Sequence, residues 1–163
     1  DHNNLTQKIL LSLDRSIFDF DLDVILSSSY INKEEMDVFK EKMKHKLVVH
    51  YDVDGIYGIL SKVDIAITAG GNAHAERICA GVPGIVISQE SHQDASVKEY
   101  EKLGATIRIG DYLQLNDDVL LESFNELYSD AKLRQNMIKI GRELLDGQGL
   151  QRVSSIIMQQ ERI

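Results

Sequence analysis

A pair of glycines followed at once by a helix-forming stretch is the segment with the clearest chemical potential. Residues 68–76 (TAGGNAHAE) lead from an apolar run through Gly70 and Gly71 into a helical pattern. Glycines let a backbone approach a ligand closely, and a helix start presents free N–H groups with partial positive charge. This arrangement favours a diphosphate, with Glu76 one turn further on and near a ribose. The alternative is a tight strand-to-helix turn with a solvated glutamate.

Several other side chains could take part in chemistry, but each has a plainer structural interpretation. His74 could polarise a phosphate oxygen, although its position favours a helical histidine packed beside a strand. His50 and Asp52 lie two residues apart at the end of a strand pattern, so they point the same way and could pair. Cys79 is predicted to be a small core residue. Arg152 could contact either a phosphate or its own helix.

Strand and helix patterns alternate along the chain. The predicted strands are residues 23–28, 47–51, 64–69, 84–89 and 106–109. The predicted helices are residues 5–13, 33–46, 56–63, 72–81, 93–103, 117–128, 130–145 and 150–160. Asp1 to Asn4 supply capping side chains for the first helix, and His45 is placed at the lysine-rich end of the second. The strands are continuous apolar runs, which is typical of a parallel sheet covered on both faces.

The fold class predicted from this pattern is α/β, with a doubly wound parallel sheet. Such a sheet binds ligands beyond the carboxyl ends of its strands, at a switch point in strand order. The segments that could form a site are therefore the loops at residues 27–32, 51–55, 69–72, 89–93 and 110–113.

Composition narrows the range of partners. A chain of 163 residues fits one domain, and its formal net charge of −8 argues against nucleic acid as a partner. The one cysteine cannot form an internal disulfide, which suits a reducing cytoplasm. No apolar run has the length of a membrane span, and no signal-peptide pattern begins the sequence. No group of His, Cys, Asp and Glu has metal-ligand spacing, so neither a metal nor a cofactor is predicted.

Three motifs together resemble the C-terminal domain of GT-B nucleotide-sugar enzymes, whose sheet is Rossmann-like. They are residues 68–76, residues 81–89 (GVPGIVISQ) and the pair His92-Gln93. The sequence is most similar to the UDP-sugar hydrolase of pseudaminic acid synthesis and its spore-coat polysaccharide relatives. The peptidoglycan UDP-N-acetylglucosamine transferase is a more distant cousin. The tail at residues 145–153 (LDGQGLQRV) also resembles the ending of the hydrolase group.

The resemblance implies that residues 1–163 are a nucleotide-sugar-binding C-terminal domain without its N-terminal domain. Residues 1–6 match the segment that follows the first strand and its glycine-rich loop in that family. We therefore expect a sheet that lacks its first strand and exposes an edge or a central gap. A homodimer through the exposed sheet is one expected consequence.

The resemblance also assigns roles to residues. By these roles Gly70, Gly71 and Asn72 face the diphosphate, Glu76 faces the ribose, Tyr51, Asp52 and Val53 flank the uracil, and His92 and Gln93 approach the sugar. Two positions depart from the family pattern: Ala73 stands where a hydroxyl residue is frequent, and His74 where a larger apolar residue is usual. The catalytic histidine of the hydrolases comes from their N-terminal domain, so no catalytic residue is predicted here.

Three functions remain open at this point. The parent protein is expected to be a UDP-sugar hydrolase of surface polysaccharide or nonulosonic acid biosynthesis, with this chain holding the substrate. A glycosyltransferase that uses the same donor site is the second hypothesis. The third is a non-catalytic module that binds nucleotide sugar.

Overall fold

The computed structural model describes residues 4–30 and 33–160, with only the backbone of Ser91 and Gln160. The predicted capping role of Asp1, His2 and Asn3 lies outside the described residues. Asn4 is the N-cap residue of the first helix, but its side chain makes no capping hydrogen bond, so that part of the prediction is wrong. So do positions 31 and 32 of the predicted loop at residues 27–32.

All strands in the described ranges pair in parallel, as the apolar runs predict. They are β1 (Leu22–Leu26), β2 (Leu47–Tyr51), β3 (Ala66–Ala69), β4 (Gly84–Ser88) and β5 (Ile107–Asp111). β1 pairs with β2, and Leu22 lies opposite Leu47. β3, β4 and β5 form a second sheet in that order, with β4 in the middle. The α/β fold class is confirmed.

Helices connect these strands and cover them. They are α1 (Leu5–Asp14), α2 (Lys33–Lys40), α3 (Tyr57–Leu60), α4 (Asn72–Ala80), α5 (Ser91–Leu103), α6 (Asp117–Ser129), α7 (Ala131–Leu144) and α8 (Gly149–Gln160). Side-chain caps fix the starts of α6 and α7. The Asn116 side chain accepts a hydrogen bond from the Asp118 amide, and the Asp130 side chain accepts one from the Leu133 amide. α4 ends at Gly81, whose φ of 72° suits glycine.

The two sheets share a core although no hydrogen-bonded ladder joins them in the described residues. One cluster of buried side chains lies at β4, α6 and α7, and Ile67 of β3 packs against it. A second cluster lies at β1, β2 and α2. Leu22 of β1 packs against both clusters, while α1 contributes Leu13 to the first and Leu10 to the second. The sequence predicted a gap or open edge in the sheet, and the five described strands form two separate sheets, β1-β2 and β3-β4-β5.

Close packing of β4 dictates one residue type. All five β4 residues are buried. A Cβ added to Gly84 would lie 1.9 Å from the carbonyl oxygen of Ala66, its register partner on β3. Only glycine fits this contact between strands.

The second helix is shorter than predicted because tertiary contacts draw the chain away from it. α2 ends at Lys40, whereas the pattern predicted a helix to residue 46. The Lys44 amide donates to Asp14 Oδ1 at 2.8 Å, and Lys44 Nζ donates to the Ser16 carbonyl at 2.9 Å. His45 is buried and stacks on Phe20 with ring centroids 4.0 Å apart. The prediction that His45 complements a helix dipole is therefore wrong.

The last helix carries an apolar stripe on its surface. Five large apolar residues of α8 are each more than half exposed: Leu150, Val153, Ile156, Ile157 and Met158. An isolated helix of this length is marginal in water, and an exposed apolar stripe of this kind is typical of an interaction surface. Among the described residues, no helix is long and apolar enough to cross a membrane.

Candidate functional site

The glycine turn lies where the sequence predicted it, at the carboxyl end of β3. β3 ends at Ala69, and α4 begins at Asn72 with Gly71 as its N-cap residue. The first N–H groups of a helix have no partner inside the helix, and Gly71 provides no side-chain cap. The turn therefore offers a short set of backbone donors with the positive end of the helix dipole behind them.

The two glycines serve different purposes. A Cβ on Gly70 would lie 2.8 Å from Val97 Cγ2 and 3.1 Å from Gln93 Cβ, so α5 packs directly on this residue. A Cβ on Gly71 would meet Gln93 Nε2 at 3.6 Å, which is ordinary contact. Gly70 is thus required by the fold, whereas Gly71 faces the more open side of the turn.

Gln93 is the predicted site residue that the structure brings closest to the glycine turn. The Gln89 amide donates to Gln93 Oε1 at 3.2 Å. This contact occupies the amide oxygen and leaves the NH₂ group on the side of Gly71. His92 precedes it on the first turn of α5 and is exposed. Gln93 can therefore donate hydrogen bonds to an oxygen-rich ligand in front of the turn.

An ionic cluster follows Gln93 immediately. Asp94 Oδ1 accepts hydrogen bonds from Arg108 Nε at 2.7 Å and from Ser88 Oγ at 3.2 Å. Lys98 Nζ lies 2.7 Å from Asp94 Oδ2. Hydrogen bonds from Lys98 and Arg108 hold the pKa of Asp94 at about 2, so the carboxylate is charged at neutral pH. The sequence analysis did not single out this cluster, because its members come from three different elements.

The other predicted ligand contacts are more scattered. Glu76 is exposed on α4, one turn after the glycines. Tyr51 ends β2, and Asp52 follows it with a left-handed φ of 52°. The Tyr51 hydroxyl is buried and makes no hydrogen bond within the described part of the chain. Val53 is half-buried. The segment at residues 51–53 and the glycine turn both lie at carboxyl strand ends, but in separate sheets.

A buried arginine ties α4 to the sheet behind the glycine turn. Arg77 Nη1 donates to the Val82 carbonyl at 2.6 Å, and Nη2 donates to Thr106 Oγ1 at 3.1 Å. Nη2 also lies 3.2 Å from His74 Nδ1. Thr106 Oγ1 donates in turn to the Gly84 carbonyl at 3.1 Å. This chain of contacts fixes the helix that carries the turn.

His74 belongs to this buried arrangement. Burial and then the Arg77 cation lower the pKa of His74 to about 4, so the ring is neutral and its Nδ1 accepts from Arg77. Burial also lowers the pKa of Arg77 to about 10. The interpretation of His74 as a packed helical histidine is confirmed. Arg77 went unnoticed in the sequence, although its i,i+3 spacing from His74 places both on one helix face.

Three further predictions are corrected or decided by the structure. His50 pairs with Asp23 on β1, at 2.5 Å between Nε2 and Oδ1, and not with Asp52. Cys79 is exposed, so it is not a core residue. Arg152 pairs with Asp146 just before its own helix, with Nη1 2.7 Å from Oδ2 and Nη2 2.9 Å from Oδ1.

Comparison with solved structures defines the class of fold. MurG of Acinetobacter baumannii superposes with a TM-score of 0.79 over 95% of this chain and 46% of its own, at 17% identity. The glycosyltransferase VinC in complex with dTDP gives a TM-score of 0.69 over 98% of this chain and 40% of its own, at 13% identity. The chain has the GT-B glycosyltransferase-like fold and matches its C-terminal, Rossmann-like domain. The resemblance inferred from the sequence is confirmed.

Sequence comparison adds a particular relative. The spore coat polysaccharide biosynthesis protein SpsG of Bacillus subtilis is 31% identical over 159 residues, covering 96% of this chain and 47% of SpsG. An uncharacterized protein of Methanocaldococcus jannaschii is 27% identical over 104 residues, covering 63% of this chain and 22% of its own length. No family model matches. The chain spans about half of SpsG and less than a quarter of the archaeal protein.

Proposed function

We propose that this domain binds the nucleotide diphosphate part of a UDP-sugar. The observation that carries the proposal is the turn at Gly70 and Gly71, which ends a strand of a GT-B domain and begins α4. The Gln93 NH₂ group lies beside this turn, on the side of Gly71, and adds a side-chain donor to the backbone donors. Phosphate oxygens are the acceptors that such a set of donors recognises best.

In this proposal each predicted residue keeps its role. Asn72 stands with the two glycines at the diphosphate, and Glu76 contacts the ribose hydroxyls. Residues 51–53 flank the uracil, while His92 and Gln93 approach the sugar. Because the Gln93 NH₂ group lies beside Gly71, it also reaches the phosphate that carries the sugar. The exposed carboxylate on α4 and the amide fixed by Gln89 support these assignments.

Calorimetric titration with UDP tests the proposal, with CMP and ADP as comparison ligands. We expect UDP to bind and Glu76→Ala to weaken it about tenfold, since a hydrogen bond to a charged group contributes roughly 1.5–3 kcal/mol. Glu143→Ala is the matched control. Glu143 is exposed near the end of α7, which packs at the opposite end of α4 through Gly141 and Ile78. Absence of UDP binding both by this chain and by a longer version that carries the proposed second domain would refute the proposal.

For the longer protein we propose a UDP-sugar hydrolase of surface polysaccharide or nonulosonic acid biosynthesis. The likeness to SpsG, a spore coat polysaccharide biosynthesis protein, supports the biosynthetic setting. A glycosyltransferase is the second candidate, because MurG and VinC share the fold and VinC is a glycosyltransferase. Product analysis separates the two: free sugar indicates hydrolysis, and a glycosylated acceptor indicates transfer. Nucleotide binding with neither product would indicate a non-catalytic module.

We further propose that a second domain of the same polypeptide completes the site. The apolar stripe of α8 and the separation of the described strands into two sheets are the features that support such a neighbour. A homodimer through the exposed sheet is the competing arrangement. Sedimentation equilibrium of the 163-residue chain distinguishes them, because only the homodimer gives a concentration-dependent doubling of mass.

The proposed location is the cytoplasm. Cys79 is a free, exposed thiol, which suits a reducing compartment. The placement can be tested by fusing the protein to a reporter enzyme that is active only in the cytoplasm. Activity of the reporter would support the proposed location.

A further inference from the structure

The ionic cluster around Asp94 joins three elements at the edge of the proposed site. Asp94 lies on the first turn of α5, Ser88 ends β4, and Arg108 belongs to β5. Arg108 approaches the carboxylate with two nitrogens, Nε at 2.7 Å and Nη2 at 2.5 Å from Oδ1. Because both nitrogens belong to one planar guanidinium, this contact restricts direction as well as distance. The start of α5 is therefore held against the carboxyl ends of both strands.

The cluster is more sheltered than the other ion pairs of the same helix. Ser88 is buried, and Asp94 and Arg108 are half-buried. The Lys102–Glu99 pair, three residues apart near the end of α5, has a similar distance of 2.6 Å, but both side chains are 67% exposed. An exposed pair contributes little, whereas a sheltered pair that joins separate elements restricts their relative position.

Gln93 is the residue whose position depends on this contact. It precedes Asp94 directly, and its Cβ and Oε1 would lie 3.1 and 3.3 Å from a Cβ on Gly70. The Gln89 amide occupies Oε1, so the orientation of the side-chain amide is fixed as well as its location. A shift of the first turn of α5 by a few tenths of an ångström would change both contacts. The distance between the NH₂ group and Gly71 would change with them.

We infer that Asp94 and Arg108 are a positioning pair that holds the Gln93 amide at the glycine turn for a ligand with phosphate or hydroxyl oxygens. The inference rests on the proposed function. Neither residue contacts the ligand. Their effect passes through the first turn of α5, so breaking the pair changes ligand affinity more than it changes the stability of the domain.

The test compares three single variants and one double variant of the 163-residue chain. Asp94→Asn keeps the shape and can still accept from Ser88, but it loses the charge that attracts Arg108. Arg108→Met keeps a long side chain without the guanidinium. Glu99→Gln breaks the exposed pair of the same helix and is the control. The double variant Asp94→Asn/Arg108→Met shows whether the two residues act as a unit.

Three measurements are made on each variant: UDP affinity by calorimetry, hydrogen exchange of the Gln89 amide by NMR, and the midpoint of urea unfolding. We expect Asp94→Asn and Arg108→Met each to weaken UDP binding about tenfold and to accelerate exchange of the Gln89 amide, while the urea midpoint changes little. The double variant should bind UDP no more weakly than either single variant. Glu99→Gln should match the wild type in all three measurements.

The outcomes separate this inference from the proposed function. If wild-type UDP affinity persists unchanged in Asp94→Asn, the positioning role is refuted, whatever the exchange rate shows. If neither the wild-type chain nor a longer version with the proposed second domain binds UDP, the proposed function fails, and the exchange rate of the Gln89 amide alone tests the positioning role. Faster exchange in Asp94→Asn and Arg108→Met then supports the positioning of Gln93, and unchanged exchange overturns it.

Discussion

The buried His74 makes the stability of this domain depend on pH. Its pKa falls from 6.5 to about 4 in the folded state, chiefly through burial and then through the Arg77 cation. In the unfolded chain the ring takes up a proton near pH 6.5, whereas the folded protein resists protonation until about pH 4. The unfolded state therefore binds more protons between these values, and folding is progressively disfavoured as the pH falls through this window.

The magnitude follows from the size of the shift. One pKa unit corresponds to about 1.4 kcal/mol, so a change from 6.5 to about 4 corresponds to about 3 kcal/mol in total. At pH 5 the unfolded ring is almost fully protonated and the folded ring is about one-tenth protonated. Of the total, about 2 kcal/mol is therefore lost between pH 7.5 and pH 5. With a urea dependence of roughly 2 kcal/mol per molar, the unfolding midpoint falls by about 1 M.

Urea unfolding of the wild type and of His74→Gln at pH 7.5 and pH 5 measures this loss. Glutamine does not titrate and still offers Arg77 an acceptor, so the variant should lose about 2 kcal/mol less than the wild type. The other histidines are common to both proteins, so their contribution cancels in the comparison. Equal pH dependence in the two proteins would refute the reasoning. So would an NMR titration in which His74 takes up its proton near pH 6.5 without unfolding.

The remaining predictions concern glycines. Gly84→Ala should destabilise the domain by about 3 kcal/mol or more in urea unfolding, because its Cβ would lie 1.9 Å from a backbone oxygen. Gly58→Ala, which meets nothing within 4 Å, should have a neutral or slightly stabilising effect. Gly70→Ala should lower the free energy of unfolding by roughly 1–2 kcal/mol and weaken UDP binding, because α5 must move to accept the new methyl group. Gly71→Ala, with 3.6 Å of clearance, should leave stability nearly unchanged. Equal losses of stability in Gly70→Ala and Gly71→Ala would contradict this account of the turn.

Local sequence patterns were sufficient to predict the strands and the turn that form the candidate site. The apolar runs predicted every strand to within a few residues, and the Gly-Gly turn was placed at the start of α4. These features depend on neighbours in sequence: a strand needs a short apolar run, and a helix start needs a break before it. An exposed edge or a central gap in the sheet was expected from the family resemblance and not from periodicity.

Contacts between distant residues could not be predicted in the same way. α2 ends early because Asp14 and Ser16 bind the chain near Lys44, about thirty residues away. Cys79 was assigned to the core by residue type, but the buried face of α4 follows His74, Arg77 and Ile78. A charged residue such as Arg77 is seldom fully buried, so its place in the core depends on acceptors supplied by other elements.

The separation of the domain into two sheets has a consequence for its local unfolding. Each sheet has its own core cluster, and α1 connects the clusters through Leu10 and Leu13. Although the two sheets share a core, we expect the domain to open locally as two foldons, of which the two-stranded unit opens at the lower free energy. A nucleotide held between residues 51–53 and the glycine turn would contact both foldons at once. Binding would then slow amide exchange in β1 and β2 more than in β4, so that the ligand contributes the cooperativity that the divided sheet lacks.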